Sequence, residues 1–293
     1  MNAKQPVIKR IGLFAKVADP ETGAVMARIV ELLRAANCDI LAAKNAASLL
    51  PGSTSRPAAE IAASVDLAIV VGGDGSLLAA ARALKWAPVP LVGINRGRIG
   101  FLADVRSEAL HEELEPILRG DYTLERRSML RVQVGTDTTA QFALNDVVIK
   151  GSDGSRMIEI ETRVDGARFS RTRGDGLIVS TPTGSTAYAL SSGGPIIAPG
   201  LDAFAIVPVS PHSLGERPVV IPAGRVISLH PLIEDDARAE ATLDGQISIE
   251  LTPRDTVRVS RAEPELLLVH PPGYEYFATL REKLGWGGRA PEC

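Results

Sequence analysis

The chain has only two cysteines, Cys38 and Cys293, far apart and one of them the last residue. That usage suggests neither a disulfide framework nor a cysteine zinc site, and it fits a reducing, cytoplasmic setting. An excess of one charge is also lacking. Lys and Arg number 32 against 35 Asp and Glu, a formal net charge of −3, with both signs mixed along the chain. That balance argues against a general nucleic-acid or membrane-surface binder. No apolar run approaches bilayer length. Near the N-terminus Lys16 breaks the apolar stretch that follows Lys9 and Arg10, so the segment does not read as a signal peptide. The histidines His111, His212, His230 and His270 lack metal-ligand spacing. None of them is assigned to catalysis, and His212, between Pro211 and Ser213, reads as structural. A Walker-type GKS/T loop is missing, as are internal repeats and low-complexity segments.

What is present is enough apolar sequence, 45% of 293 residues, for two domains with cores of their own. The first third alternates strand-like runs (residues 11–14, 67–71, 90–94) with helix-like ones. The segment 22–36 places Val25, Ile29, Leu32 and Leu33 on one helical face. The run Leu67-Ala68-Ile69-Val70-Val71 suits a strand buried on both faces. Such alternation implies a parallel sheet with helices outside it, and ligands bind beyond the carboxyl ends of its strands. After a helix near 107–118 the texture changes. Residues 130–134, 157–164 and 256–260 alternate apolar with polar, and short strands separated by Gly and Pro continue to about Val269. That is the pattern of antiparallel β structure. The predicted fold class is therefore an α/β N-terminal domain followed by a mainly antiparallel β domain, with a boundary near 119–128 and a closing helix over 274–286. Glu234-Asp235-Asp236 reads as a solvated turn.

Four polar blocks interrupt these elements. Gly72-Gly73-Asp74-Gly75-Ser76 lies between a strand and a helix, where glycines let a backbone approach a phosphate. An acid in such a turn can hold a metal ion or take a proton from an attacking hydroxyl; the plainer alternative is a helix cap. Residues 93–102 follow the next strand, so Asn95 is either a ligand group in the same crevice or a turn residue. Asn145-Asp146 is a polar pair at the edge of an apolar run. The fourth block runs from Gly174 to Tyr188, through Asp175 and the small-residue stretch Thr183-Gly184-Ser185. Small residues and hydroxyls can build a close-fitting polar pocket.

In this order the four blocks closely resemble the NAD kinase family, over residues 11–286. Pro211-His212-Ser213-Leu214, Arg217-Pro218, Asp244-Gly245-Gln246 and Lys283-Leu284-Gly285-Trp286 add to the likeness. GGDG alone is shared with kinases of lipids and sugar phosphates; the block 174–188 is the specific one. A dinucleotide sensor without turnover is the rival of a different class, and the intact turn around Asp74 argues against it.

The resemblance implies transfer of the γ-phosphoryl group of ATP to the 2′-hydroxyl of the adenosine ribose of NAD. Asp74 would be the general base, and Gly72, Gly73, Gly75 and Asn95 would lie along the nucleotide. Mg²⁺ would be carried in with ATP and not held by a dedicated site. Asn145 and Asp146 would hold the adenine and ribose, although the family usually has Asn-Glu there. Thr186, Ala187, Tyr188 and Ser191 would line the dinucleotide, and Tyr188 could stack on a base or simply be core. Asp175 would accept from the nicotinamide carboxamide, with Arg156 and Arg173 on either side, and Gln246 would be a further contact; Asp244-Gly245 is equally a hairpin signal. A polar residue at position 173 implies preference for NAD over NADH. The resemblance also implies a homodimer or homotetramer with sites near subunit contacts. It returns the tail to the first domain, giving 1–122 with 272–293 and 123–271 as the two domains.

Overall fold

Leu67–Val71 forms a strand with every residue buried, as the apolar run predicts. In the computed structural model, which describes residues 6–16, 19–97, 100–137, 139–152, 157–232 and 238–286, it is the middle of a seven-stranded sheet. On one side lie Arg10–Ala15 and then Asp39–Ala42. On the other lie Leu91–Asn95, Leu266–His270 and Thr123–Arg127, with the short Val105–Arg106 also beside Leu91–Asn95. The paired registers from Asp39–Ala42 across to Leu266–His270 are parallel. Helix Pro20–Ala35 starts two residues earlier than the apolar spacing predicts. Asp19 caps it by accepting the Thr22 N–H at 2.7 Å, and proline takes the first position. Its buried face of Val25, Met26, Ile29, Leu32 and Leu33 shares a core with Ile11, Leu13, Ile69, Val92 and Ile94 of the sheet and Leu110, Leu114 and Ile117 of helix Leu110–Leu118.

This unit comprises Met1–Arg126 with Leu266–Cys293. Thr123–Arg127 and Leu266–His270, which the sequence reading placed within 123–271, pair inside its sheet. Leu266–His270 was also read as the last antiparallel strand, whereas it runs parallel to Leu91–Asn95. Its Leu268 and Val269 are buried, so the apolar run was correct and its sheet was not. Helix Tyr276–Leu284 follows and ends on Gly285 in the left-handed conformation.

The second unit, Arg127–Glu265, holds two six-stranded antiparallel sheets. One contains Leu130–Val134, Ile158–Val164, Ala167–Gly174, Ile227–Leu232 and Val257–Arg261; the other contains Asp146–Gly151, Gly176–Ser180, Ala203–Val209 and Ala239–Leu243. Alternate residues of both meet in one core: Leu130, Val132, Ile160, Leu229 and Val259 from the first sheet, Val147, Ile149, Leu177, Val179 and Phe204 from the second. Residues on the opposite face of the second sheet, Val148, Ile178, Ala205 and Val207, pack with Ala189 and Ile197. The segment after Ser180 thus covers that sheet's outer side. Burial on both faces explains why Leu177, Ile178 and Val179 are apolar in succession, although antiparallel strands more often alternate. Residues 234–236, read as a turn, lie outside the described residues. Among the described residues no helix is long and apolar enough to cross a membrane.

Candidate active site

In the first unit the carboxyl ends of two parallel strands are joined where the Gly72 N–H donates to Ile94 C=O at 2.9 Å. Gly72 has φ 141°, and a side chain there would overlap Ser76, so the turn requires glycine. Gly73 is the cap of helix Asp74–Ala83 and Asp74 its first residue. The helix-cap alternative for Asp74 is thereby set aside. Its carboxylate instead reaches the loop that follows Leu91–Asn95. Oδ2 accepts from Phe101 N–H at 2.9 Å, and Oδ1 accepts from Leu102 and Ala103 N–H at 3.0 and 3.1 Å. A carboxylate has about four acceptor sites. Oδ1 is therefore filled, and Oδ2 retains one site. At Gly73 and Gly75, both exposed, an added Cβ would meet nothing within 4 Å, so the outside of the turn is open.

Asn95 ends its strand and is buried. Its Oδ1 accepts from Gly97 N–H at 2.9 Å and its Nδ2 donates to Ala103 C=O at 3.3 Å. It thus shapes the loop that holds Asp74. Arg96 ties the same loop to the helix start at Asp19 and Thr22, at 2.8–3.0 Å.

The second unit gathers another set of residues. Asn145 sits just before strand Asp146–Gly151, and its C=O accepts from Thr181 N–H at 2.9 Å. Thr181 Oγ1 donates to Leu144 C=O at 2.5 Å and accepts from Gly184 N–H at 3.1 Å. The turn then lies so close that a Cβ on Gly184 would overlap the Asn145 carbonyl. Ser185 Oγ donates to Pro182 C=O at 2.6 Å and accepts from Ile197 N–H at 2.9 Å. These hydroxyls are buried and build the loop. Thr186 is partly buried, with Oγ1 donating to Thr183 C=O at 3.1 Å. Ala187 is half-buried beside it, while Tyr188 is 45% exposed and Ser191 is exposed. Tyr188 is therefore no core residue. The half-buried Asn145 carboxamide makes no hydrogen bond to another described residue.

Asp146 is only 4% exposed. Burial, with the negative charge of Asp244 adding to it, pushes its carboxyl up to about 7. Asp244 is fixed by its own contacts: Oδ1 accepts from Asn145 N–H at 2.7 Å and Asp146 N–H at 3.3 Å, and Oδ2 from Leu144 N–H at 3.1 Å. Asp244 and Gly245 have φ of 52° and 61°, and Gln246 N–H closes the turn onto Leu243 C=O at 2.9 Å, so the hairpin signal is real. Gln246 is exposed. The sequence offers no hint of the Asp146–Asp244 pairing, since the two lie almost a hundred residues apart.

Arg173 and Asp175 are exposed and stand together at the start of Gly176–Ser180. Asn145 and Thr181 stand at its other end, roughly 20 Å away at about 3.3 Å per residue. Arg173 and Asp175 thus stand apart from Asn145 along the strand. Arg156 lies outside the described residues. Among the described residues no three His, Cys, Asp or Glu side chains cluster as a metal site.

Two family models match the chain: the ATP-NAD kinase N-terminal domain over residues 11–122 and the ATP-NAD kinase C-terminal domain over 144–271. The NAD kinase of Chromohalobacter salexigens is 39% identical over 289 residues, 97% of this chain and 99% of that protein. The NAD kinase of Aromatoleum aromaticum is 43% identical over 282 residues, 94% and 93% of the two. Among solved structures, yeast NADH kinase complexed with NADH has the same fold, with a TM-score of 0.87 at 20% identity, covering 99% of this chain and 91% of that one. An NAD kinase from Archaeoglobus fulgidus in complex with ATP aligns with a TM-score of 0.75 at 28% identity, covering 93% and 99%.

Two close approaches should both cost stability, for different reasons. A Cβ on Gly184 meets backbone, which cannot move aside, whereas the nearest atoms to one on Gly100 belong to the Asp74 carboxylate. Gly184→Ala should cost about 1–3 kcal/mol, as overpacking does. Gly100→Ala should cost about 1–3 kcal/mol as well, because it displaces a carboxylate that holds three main-chain N–H groups. Denaturant unfolding of both variants checks this, and a Gly100→Ala variant as stable as the parent would show that the Asp74 carboxylate does not hold the loop.

Asp146 should titrate near 7 in a carboxyl-carbon NMR experiment. In Asp244→Asn its pKa should fall without reaching 3.8, because burial, the larger cause, remains. A titration unmoved by that substitution would show that the two charges do not interact.

Proposed function

The chain belongs to the NAD kinase family, and on that premise we propose how its residues divide the reaction. It phosphorylates the 2′-hydroxyl of the adenosine ribose of NAD with ATP, giving NADP and ADP. A ribose hydroxyl is a poor nucleophile at neutral pH and needs a base within hydrogen-bond reach. Asp74 is that base, acting through Oδ2. The observation that carries this is its seat: three successive N–H groups hold the carboxylate in one orientation, with a single acceptor site left on Oδ2. Gly72, Gly73 and Gly75 let the phosphates approach the turn, and Asn95 keeps the adjoining loop in shape beside the nucleotide.

In the β-rich unit, Asn145 and Asp146 recognise the adenosine. The Asn145 carboxamide can both donate and accept. Asp146, one methylene shorter than the family's usual Glu, does so from a buried position. Thr186, Ala187, Tyr188 and Ser191 line the dinucleotide, with the exposed Tyr188 ring offered for stacking, and Gln246 is a further contact. Asp175 binds the nicotinamide carboxamide, flanked by Arg173 and Arg156. The protein acts as a homodimer or homotetramer in which Arg173 and Asp175 of one copy complete the site of another, which their place at the far end of Gly176–Ser180 favours. Mg²⁺ enters with ATP as part of the substrate, and its charge offsets that of the phosphates. Two cysteines and a mixed, near-neutral charge fit a cytoplasmic enzyme.

Asp74→Asn removes the base; its one amide oxygen can still accept from Leu102 and Ala103 N–H, while its NH2 takes the place of the oxygen that accepts from Phe101 N–H. Turnover should fall by about two to four decades while dinucleotide affinity changes little. Steady-state kinetics beside direct binding measurement checks this, and near-normal turnover would leave Asp74 with a purely architectural role.

Arg173 is exposed and lies across from Glu159 in the strand register. A guanidinium near the nicotinamide disfavours the cationic oxidised ring, and a carboxylate favours it. The Asp175 charge two positions on weakens that repulsion, whereas Glu159 is already held by both Nε and Nη2 of Arg171. Charge alone would set Arg173 against NAD; it is the family resemblance, in which a polar residue at position 173 goes with preference for NAD over NADH, that makes NAD the expected better substrate and predicts a relaxed preference in Arg173→Gly. The ratio of kcat/KM for NAD and NADH in both proteins is the measurement. A parent ratio near one, or a ratio unmoved by the substitution, would show that Arg173 does not read the ring.

A further inference from the structure

His270 ends the strand Leu266–His270 and is 1% exposed. Its Nδ1 lies 2.7 Å from Asp104 Oδ2 and its Nε2 lies 2.9 Å from Glu125 Oε2. A neutral imidazole has one N–H, so two carboxylate partners call for the doubly protonated cation. The Tyr274 ring stacks on it, with centroids 3.8 Å apart and planes at 8°. Asp104, Glu125 and Tyr274 are the titratable groups that face the imidazole.

Asp104 has a side chain 6% exposed, and its Oδ1 is buried with no hydrogen-bond partner among the described residues. The histidine is therefore what compensates this carboxylate. Asp104 also directly follows Phe101, Leu102 and Ala103, whose N–H groups seat Asp74.

We propose that His270 is a positioning residue for the reaction: as a cation clamped between Asp104 and Glu125, it fixes the stretch 101–104 and so the orientation of the Asp74 carboxylate. The inference rests on Asp74 being the base. Without the imidazolium, Asp104 is left as an unpaired buried charge, which protonates or turns toward water. Either response moves the main chain next to Ala103, and small misplacements of a reacting group cost rate far more than they cost binding.

The pH dependence has a definite sign. Burial alone lowers the pKa of His270, but the hydrogen bonds and charges of Asp104 and Glu125 together outweigh it and leave the pKa raised. The clamp is complete below the ordinary histidine pKa and is lost as pH rises through the raised value.

The test is kcat and KM for ATP and NAD across pH in the parent, in His270→Gln and in Asp104→Asn/His270→Gln. In His270→Gln kcat should fall about 10–100-fold with both KM values within about twofold of the parent. The parent should lose kcat on an alkaline limb that the double variant lacks, because its neutral pair does not titrate. The double variant should also recover kcat at neutral pH. If the single variant does not fold, the double variant carries the measurement. Parental kcat in His270→Gln, or an alkaline limb unchanged in the double variant, overturns the inference. Asp74→Asn measured alongside distinguishes the two readings. Normal turnover there removes the base itself, whereas a crippled Asp74→Asn beside a normal His270→Gln removes only the role of His270.

Discussion

The first unit is organised around one carboxylate and three backbone amides. Phe101, Leu102 and Ala103 can present their N–H groups to Asp74 only if the loop after Leu91–Asn95 doubles back over the start of helix Asp74–Ala83. Asn95 holds that return from within, through Gly97 N–H and Ala103 C=O, and Arg96 pins its outer side to Asp19 and Thr22. Gly93 and Gly100 have no side chain where the loop passes close to them. A buried or half-buried charge needs this degree of hydrogen bonding to persist. Placement of the acid and shape of the loop are therefore one requirement, met by residues scattered from Asp19 to Ala103.

That arrangement explains what could be read in advance. Arg10–Ala15, Leu67–Val71 and Leu91–Asn95 are local apolar runs and the glycine turn is a local signal, so these are visible in the sequence, whereas the short Asp39–Ala42 and Val105–Arg106 and the charged Thr123–Arg127 are not. The helix cap at Asp19-Pro20 was equally local and was passed over in favour of apolar spacing. The place of Leu266–His270 was not local at all. Its residues read as β structure, but which sheet a strand joins depends on partners some 175 positions away. The ion cluster of Asp104, Glu125 and His270 is hidden for the same reason, with partners 145 and 166 positions apart. Its one sequence trace is a histidine closing an apolar run, which the spacing rules for metal ligands correctly pass over.

In the second unit the small-residue block has two jobs that the sequence does not separate. Thr181 and Ser185 point their hydroxyls inward and hold the chain against Asn145 and Ile197. Ala189 and Ile197 then cover the outer face of the sheet. Only after this scaffolding do Tyr188 and Ser191 emerge at the surface. A run of Thr, Gly and Ser therefore reads correctly as a tight polar loop, while most of its polar atoms serve the loop and not a ligand. The group that remains uncommitted by the loop is clearest at the Asn145 carboxamide.

Asp146 shows how the neighbourhood of such a group can set its charge. With its carboxyl raised to about 7 by burial and by Asp244, it carries on average only part of a negative charge at neutral pH. A site that must admit phosphates gains from this, since a fully ionised acid there would repel them over the short distances at which water screens poorly. An incoming phosphate would shift the acid further toward its neutral form. A neutral carboxyl also has an O–H to donate, whereas a carboxylate can only accept. The Asp244 carboxylate, held by the amides of Leu144, Asn145 and Asp146, adds its charge to the larger effect of burial. The charge of Asp146 thus depends in part on a residue that follows the neighbouring strand Ala239–Leu243, and a Glu in place of Asp146 would change both the reach of the acid and its distance from that charge.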